Sequence, residues 1–204
     1  MDQLSITSHP LYKVHNIDSA MTSLWDFYTK KFLPLFIMSF IMGLILQYLS
    51  SLIKIDIADY QTFNIDQMML KLREYLWPML IISLTGLLFT TILQYFVIYN
   101  PIDPENTIFR SALKSFRYYI LYLIIMVFLA IAGSFALFLG LLLLVVGILF
   151  AAIYILTLYI FILPVMMVEG PSIANTMVRT FTLTHRNFWS NIGWTAVFVI
   201  IILV

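Results

Sequence analysis

Long apolar runs, separated by short polar segments, dominate the chain from residue 32 onward. A bilayer core of about 30 Å needs roughly 20 helical residues, because an α-helix rises about 1.5 Å per residue. The runs are continuous and lack the period-two alternation of a membrane β-barrel strand. Four of them reach the length of a span: Phe32–Ile53, Tyr75–Tyr99, Tyr118–Leu139 and Gly140–Val168. The pattern therefore predicts four membrane-spanning helices.

The last two of these runs follow each other without a polar break, and together they have about twice the length that one span needs. Such a run must fold back on itself, and we predict a turn around Gly133–Gly140. A fifth run, Phe188–Val204, is shorter than a full span. It predicts a span that is cut short or one that lies at the end of the chain.

The composition agrees with a membrane protein and excludes several other classes. Hydrophobic residues make up 62% of the 204 residues and charged residues only 10%, whereas soluble domains have about 25% charged residues. We predict an all-α, polytopic membrane protein of about five spans, with a polar cytoplasmic arm (1–31) and a single transmembrane domain (32–204). The net charge of +1 and the lack of a basic cluster indicate no nucleic-acid partner. Cysteine is absent, which excludes disulfides and thiolate metal sites.

The distribution of lysine and arginine predicts the orientation. With the N-terminus in the cytosol, eight of these residues in the arm and loops fall inside and three fall outside. The positive-inside rule therefore places the N-terminus in the cytosol. We expect a multi-pass protein of the inner (plasma) membrane.

The polar segment "EGPSIANTMVRTFTLTHRNFW", residues 169–189, interrupts the apolar C-terminal part. Pro171 suits a first helical position, and the spacing predicts an amphipathic helix over Pro171–Thr184 that lies in the membrane interface. Its predicted apolar stripe is Ile173, Ala174, Met177, Val178 and Phe181. The opposite, polar face has Asn175, Thr176, Arg179, Thr180 and Thr182.

The same stripe occurs before two other spans. With an offset of 65 residues it consists of Ile108, Phe109, Ala112, Leu113 and Phe116, after Asp103 as a predicted N-cap. A third copy is Ala20, Met21, Leu24, Trp25 and Tyr28. The sequence thus predicts three cytoplasmic interfacial helices. The stripes fit an internal structural repeat and equally the period that any amphipathic helix has, and both interpretations stay open. On the outer side, we predict a helix over Asn64–Glu74 that leads into the second span.

The segment "LPVMMVEGPSIANTMVRTFTLTHRNFW" resembles the membrane domain of bacterial glycerophosphoryl diester phosphodiesterases and related polytopic proteins. The resemblance rests on the proline that ends a span, the following glutamate, and then Arg179 with Thr180, Leu183 with Thr184, and Phe188 with Trp189. It covers about 30 residues. The family's six-span architecture implies that this chain would lack the last span. The soluble phosphodiesterase barrel of some members is absent, so the resemblance implies no catalytic activity.

Two groups of polar side chains are candidates for binding. Cationic side chains near the membrane surface could hold a lipid phosphate or anchor the chain to anionic headgroups without specificity, and we favour the second interpretation. These are Arg110, Lys114, Arg117, Arg179 and Arg186. Polar side chains within spans, namely Gln47, Thr85 and Gln94, could line a substrate path or form hydrogen bonds between helices. Glu169 could handle a proton or cation, although a capping or interfacial charge is the favoured interpretation.

No motif or group of residues predicts catalysis. No span has an acidic, basic or histidine side chain in its centre, and phosphate-loop and metalloprotease motifs are absent. We therefore expect no enzyme activity, metal or cofactor, with membrane lipid as the partner; a protein partner or homo-oligomer is left open. Two hypotheses remain: a non-catalytic membrane scaffold or lipid-interacting domain, and a transporter or permease component for an apolar or lipid-like substrate. A groove lined by Gln47, Thr85 and Gln94 would favour transport, and a closely packed bundle would favour the scaffold.

Overall fold

The computed structural model describes residue 9 and residues 17–53 and 65–203. Within these ranges the chain forms only helices and no strand. They are α1 Ile17–Lys30, α2 Phe32–Ser51, α3 Ile65–Tyr99, α4 Ile108–Leu142, α5 Leu144–Glu169, α6 Ile173–Arg186 and α7 Phe188–Leu203. Four segments are long and apolar enough to cross a membrane: Phe32–Ser51, Arg73–Tyr99, Ile108–Leu142 and Val145–Glu169. A shorter apolar helix covers Phe188–Ile201. The prediction of an all-helical, polytopic membrane protein is confirmed.

The chain divides into two compact units, Met1–Ala112 and Leu113–Val204. In the first unit, α2 packs against α3. The predicted helix before the second span is confirmed from Ile65 onward, since α3 continues through it without a break; Asn64 lies outside the described residues. Pro78 lies inside α3, where membrane helices tolerate proline better than soluble ones do.

Two predicted helix starts are wrong by a few residues. Asp103 does not cap α4; its carboxylate accepts a hydrogen bond from the backbone N–H of Glu105 in the preceding loop. Thr107 has the capping position instead, and its hydroxyl accepts from the backbone N–H of Arg110 at 3.3 Å. Similarly, α6 begins after Ser172, which caps it, so Pro171 lies before the helix.

The hairpin of α4 and α5 in the second unit turns at Leu143, just beyond the predicted interval. Gly140 stays in the helix because the two backbones meet there. A Cβ atom built on Gly140 would lie 2.8 Å from the carbonyl oxygen of Gly147, closer than any real side chain comes. A Cβ on Gly133 would lie 3.3 Å from Ile155, as expected for antiparallel neighbours. The glycines that suggested a turn therefore allow close packing beside it.

Helix α6 folds back along α5. Near their connection, Arg179 Nε lies 3.1 Å from the Glu169 carboxylate. At the other end of α6, His185 Nε2 lies 3.4 Å from the hydroxyl of Tyr154. Residue numbers increase along α6 while those of its contacts on α5 decrease. The two helices are therefore antiparallel, and α6 lies beside the apolar part of α5.

Helix α7 runs parallel to α5. The Phe188 and Phe150 ring centroids are 6.0 Å apart, and further along the hydroxyls of Thr157 and Thr195 are 2.9 Å apart. The turn between α6 and α7 is closed by Asn191, whose amide donates to the carbonyls of Leu183 and Thr184 at the end of α6. The second unit thus places α4, α6 and α7 around α5.

Candidate functional site

The buried side of α6 is rotated from the predicted apolar stripe and includes part of the face that the sequence pattern predicts to be polar; Asn175, Arg179 and Thr182 of that face are exposed. Thr176, Thr180 and Thr184 are 0%, 1% and 0% exposed, whereas Val178 of the predicted apolar stripe is 68% exposed. The predicted assignment of Thr176 and Thr180 to the outer face is therefore wrong. Small side chains let two helix backbones approach closely, and in lipid an outward apolar face has no penalty. Packing, and not hydropathy, decides which side of α6 is inside.

The same rotation occurs on α4 at the predicted offset of 65 residues. Ser111 and Ser115, which correspond to Thr176 and Thr180, are both 0% exposed. Phe109 and Leu113 of the predicted apolar stripe are 74% and 67% exposed. On α1 the corresponding Ser23 is half-buried while the bulky side chains around it are exposed. The feature shared by α4 and α6 is therefore a row of small, buried hydroxyl residues, whereas α1 has Phe27 one turn after Ser23.

The three buried threonine hydroxyls of α6 have no hydrogen-bond partner among the described residues. By contrast, the exposed Thr182 donates to the carbonyl of Val178 one turn earlier at 2.8 Å. An unpartnered buried hydroxyl is unfavourable, by about 1–3 kcal/mol on protein mutational scales. These threonines are thus at their positions because of their size, and their hydroxyls add no stability.

The five candidate cations do not form one site. Arg179 is paired with Glu169, and Arg110 is paired with Glu105 at 3.1 Å. Arg186 is exposed in the last turn of α6, two turns beyond Arg179. Lys114 and Arg117 are exposed on α4, where with Arg110 their spacing places them on one helix face. Arg179 and Arg186, two turns apart, also share one face of α6, so the cations fall into one row on α4 and one on α6.

The three polar residues predicted within spans are also separate. Gln47 is exposed on α2, and Thr85 and Gln94 are half-buried on α3. The side-chain oxygen of Gln94 is buried without a hydrogen-bond partner among the described residues. None of the three lines the cavity described next. The structure therefore does not show the groove that would favour transport.

An apolar cavity of about 480 Å³ lies between α4, α5 and α6 in the second unit. On α4 it is lined by small residues, among them Ala132, Gly133 and Ala136, and on α6 by Ile173, Met177 and Phe181. The small residues on α4 leave a space that these larger side chains do not fill. Its volume is within the range of about 300–1,000 Å³ that is usual for small-molecule sites.

Tyr154 on α5 lines the same cavity and is linked to His185 on α6. The imidazole is surrounded by aromatic rings, with centroid distances of 5.7 Å to Phe188, 5.9 Å to Tyr154 and 6.2 Å to Phe181. Its Nδ1 lies 2.8 Å from the carbonyl oxygen of Phe181. The sequence interpretation did not include this pair. The aromatic residues spaced around His185, within residues 169–189, were the sequence signal for this pair. Tyr154, the partner of His185, is 31 residues away on α5 and carries no such signal.

No group of three or more histidine, aspartate or glutamate side chains that could hold a metal ion occurs within residues 17–53 and 65–203 or includes residue 9. Searches against protein-family models, curated proteins and solved structures find no match to this chain. The candidate site is therefore defined by its own geometry: an apolar cleft with one polar pair.

Proposed function

We propose that the chain is a non-catalytic membrane domain that binds lipid, with the cavity between α4, α5 and α6 holding a hydrocarbon chain. The observation that carries this proposal is the cavity itself, about 480 Å³ with an almost entirely apolar lining. A hydrocarbon chain gains from such a lining through dispersion contacts with closely placed apolar atoms. The resemblance to the membrane domain of the glycerophosphoryl diester phosphodiesterases agrees with a domain that acts at lipid without catalysis.

The exposure of residues that line the cavity supports lateral entry of a lipid chain from the membrane. Phe128 is 59% exposed and Phe181 is 39% exposed, and Ala132, one turn after Phe128 on the cavity wall, is also exposed. These residues belong to or lie beside helices long enough to span a membrane, so their exposed surface faces acyl chains. A lipid chain can therefore enter the cavity laterally, without passing through water.

In the proposed orientation the protein lies in the inner membrane, and the loop between α3 and α4 lies in the cytosol. The cationic row of Arg110, Lys114 and Arg117 would then lie at the anionic cytoplasmic leaflet, where each surface cation contributes about 1 kcal/mol. This row anchors the start of α4, and the cavity binds the lipid. The two roles are separate in the chain and can be tested separately.

A transporter of lipid-like substrates is the second hypothesis, and it needs a path across the membrane. The polar span residues proposed for that path, Gln47, Thr85 and Gln94, do not line the cavity. The cavity geometry thus favours binding over transport.

Filling the cavity tests the proposal. Ala132 lines the cavity, whereas Ala130 on the same helix is also exposed but does not line it. We expect Ala132→Phe to reduce the lipid that copurifies with the full chain, measured by native mass spectrometry, and Ala130→Phe to retain it. Equal lipid retention by both variants, with both eluting as single species in detergent, would contradict the proposal.

A further inference from the structure

The cavity is apolar except at one place. Of the side chains that line it, only that of Tyr154 has an oxygen or nitrogen atom; the others are hydrocarbon or, at Met177, a thioether. The Tyr154 hydroxyl points to His185 Nε2 at 3.4 Å. A ligand in this cavity can therefore form a polar contact at one end only.

The hydrogen-bond geometry of His185 determines what this pair can bind. Nδ1 is 2.8 Å from the carbonyl oxygen of Phe181, so Nδ1–H donates to that carbonyl and Nε2 of the neutral ring is an acceptor. The Tyr154 hydroxyl then donates to Nε2. Hydrogen bonds from hydroxyl groups are usually about 2.5–3.0 Å long, so a contact of 3.4 Å is weak. A ligand group can replace it by accepting from Tyr154 and donating to Nε2.

The position of the pair along α5 disfavours a charged ligand group. Tyr154 lies 15 residues before Glu169 in the apolar segment Val145–Glu169, which corresponds to about 22 Å along the helix. The other end of that segment is about 13 Å away. Both distances place Tyr154 away from the ends of the apolar segment. The exposed Arg186 next to His185 does not line the cavity, and no other charged side chain does, so an ionised head group there would be buried without a partner while a neutral hydrogen-bonding group is tolerated.

We propose that the cavity binds a single-chain amphiphile whose neutral head both donates and accepts a hydrogen bond at the Tyr154–His185 pair. This inference rests on the proposed lipid-binding function and names its ligand class. A volume of about 480 Å³ is toward the lower end of the range of about 300–1,000 Å³ for small-molecule sites. It suits one hydrocarbon chain rather than the two chains of a phospholipid. Tyr154 and His185 determine specificity, and the apolar wall supplies affinity.

Three radiolabelled probes of nearly equal chain length test the head contact on the purified full chain. 1-Hexadecanol can donate and accept, 1-methoxyhexadecane can only accept, and hexadecane can do neither. Because one hydrogen bond distinguishes the first two, we expect wild-type protein to bind hexadecanol about fivefold more tightly than methoxyhexadecane. Equal binding of all three probes would overturn the inference. This comparison uses wild-type protein alone, so it does not depend on whether a variant folds.

Variants locate the contact. Tyr154→Phe removes the hydroxyl that donates to the ligand oxygen and keeps the ring. We expect hexadecanol and methoxyhexadecane to bind this variant more weakly by a similar factor while hexadecane binding is unchanged, because Nε2 of His185 can still accept from hexadecanol. Tyr159→Phe is the matched control, since Tyr159 is on the same helix but outside the cavity lining. If hexadecanol and methoxyhexadecane bind Tyr154→Phe as tightly as wild type, the role of the pair is contradicted and lipid binding is left intact. If no probe binds wild-type protein better than Ala132→Phe, the proposed function itself is wrong.

Discussion

Arg179 Nε lies 3.1 Å from the carboxylate of Glu169, and the pair closes the connection between α5 and α6. Both side chains are partly exposed, at 53% and 41%. The guanidinium of Arg179 therefore has a partner within the protein. This contact supports the interpretation of Glu169 as a structural charge at the end of a span.

The first prediction compares this ion pair with its apolar neighbour. Because exposed ion pairs contribute about 0–1 kcal/mol, Arg179→Gln should lower the free energy of unfolding by less than about 1 kcal/mol. Phe181→Asp should lower it by about 2–4 kcal/mol, since it puts a carboxylate into the apolar cavity wall. Thermal unfolding of both variants in detergent gives the comparison. A folded Arg179→Gln protein that has lost a lipid retained by wild type would instead show a specific headgroup site.

The second prediction concerns the buried threonine row. Thr180→Val keeps the shape of the side chain and removes a hydroxyl that has no partner among the described residues. We expect the free energy of unfolding to rise by about 1 kcal/mol. Thr182→Val is the control, because the Thr182 hydroxyl is exposed and bonded to Val178, and it should change stability by less than about 0.5 kcal/mol. A loss of stability in Thr180→Val would mean that its hydroxyl is bonded after all.

The third prediction tests the close approach of α4 and α5. Gly140→Ala places a Cβ atom against the backbone of Gly147, so we expect a loss of about 1–3 kcal/mol in the free energy of unfolding. Gly86→Ala is the control, since a Cβ there meets no atom within 4 Å. Alanine exceeds glycine in helix propensity by about 0.8–1.0 kcal/mol, so this control should be neutral or stabilising. Equal stability of the two variants would rule out tight packing at the hairpin.

The fourth prediction concerns orientation, and the natural absence of cysteine makes it direct. Glu105 precedes α4 and Leu143 follows it, and both are exposed at opposite ends of a helix long enough to span the membrane. With the N-terminus in the cytosol, Leu143→Cys should react with an impermeant thiol reagent in intact cells. Glu105→Cys should react only after the membrane is permeabilised. The reverse labelling pattern would invert the predicted topology.

The sequence alone determined the number and the approximate limits of the four long apolar spans. Span length depends on hydropathy summed over about 20 adjacent residues, and this property is local in the chain. The helix predicted over Asn64–Glu74 is present from Ile65 onward as the first part of α3. The turn at Leu143 was placed too early because Gly140, which suggested a turn, lies in the helix as a packing residue.

Only the tertiary structure decided which side of each amphipathic helix is inside. In water, the apolar stripe of α6 would be buried by the hydrophobic effect. In a membrane the lipid is as apolar as the protein interior, so close contact between small side chains decides the packing. This is why Thr180 is buried and Val178 is exposed. The pairing of Tyr154 with His185 follows from that packing, since α6 must lie antiparallel on α5 before the two side chains can meet.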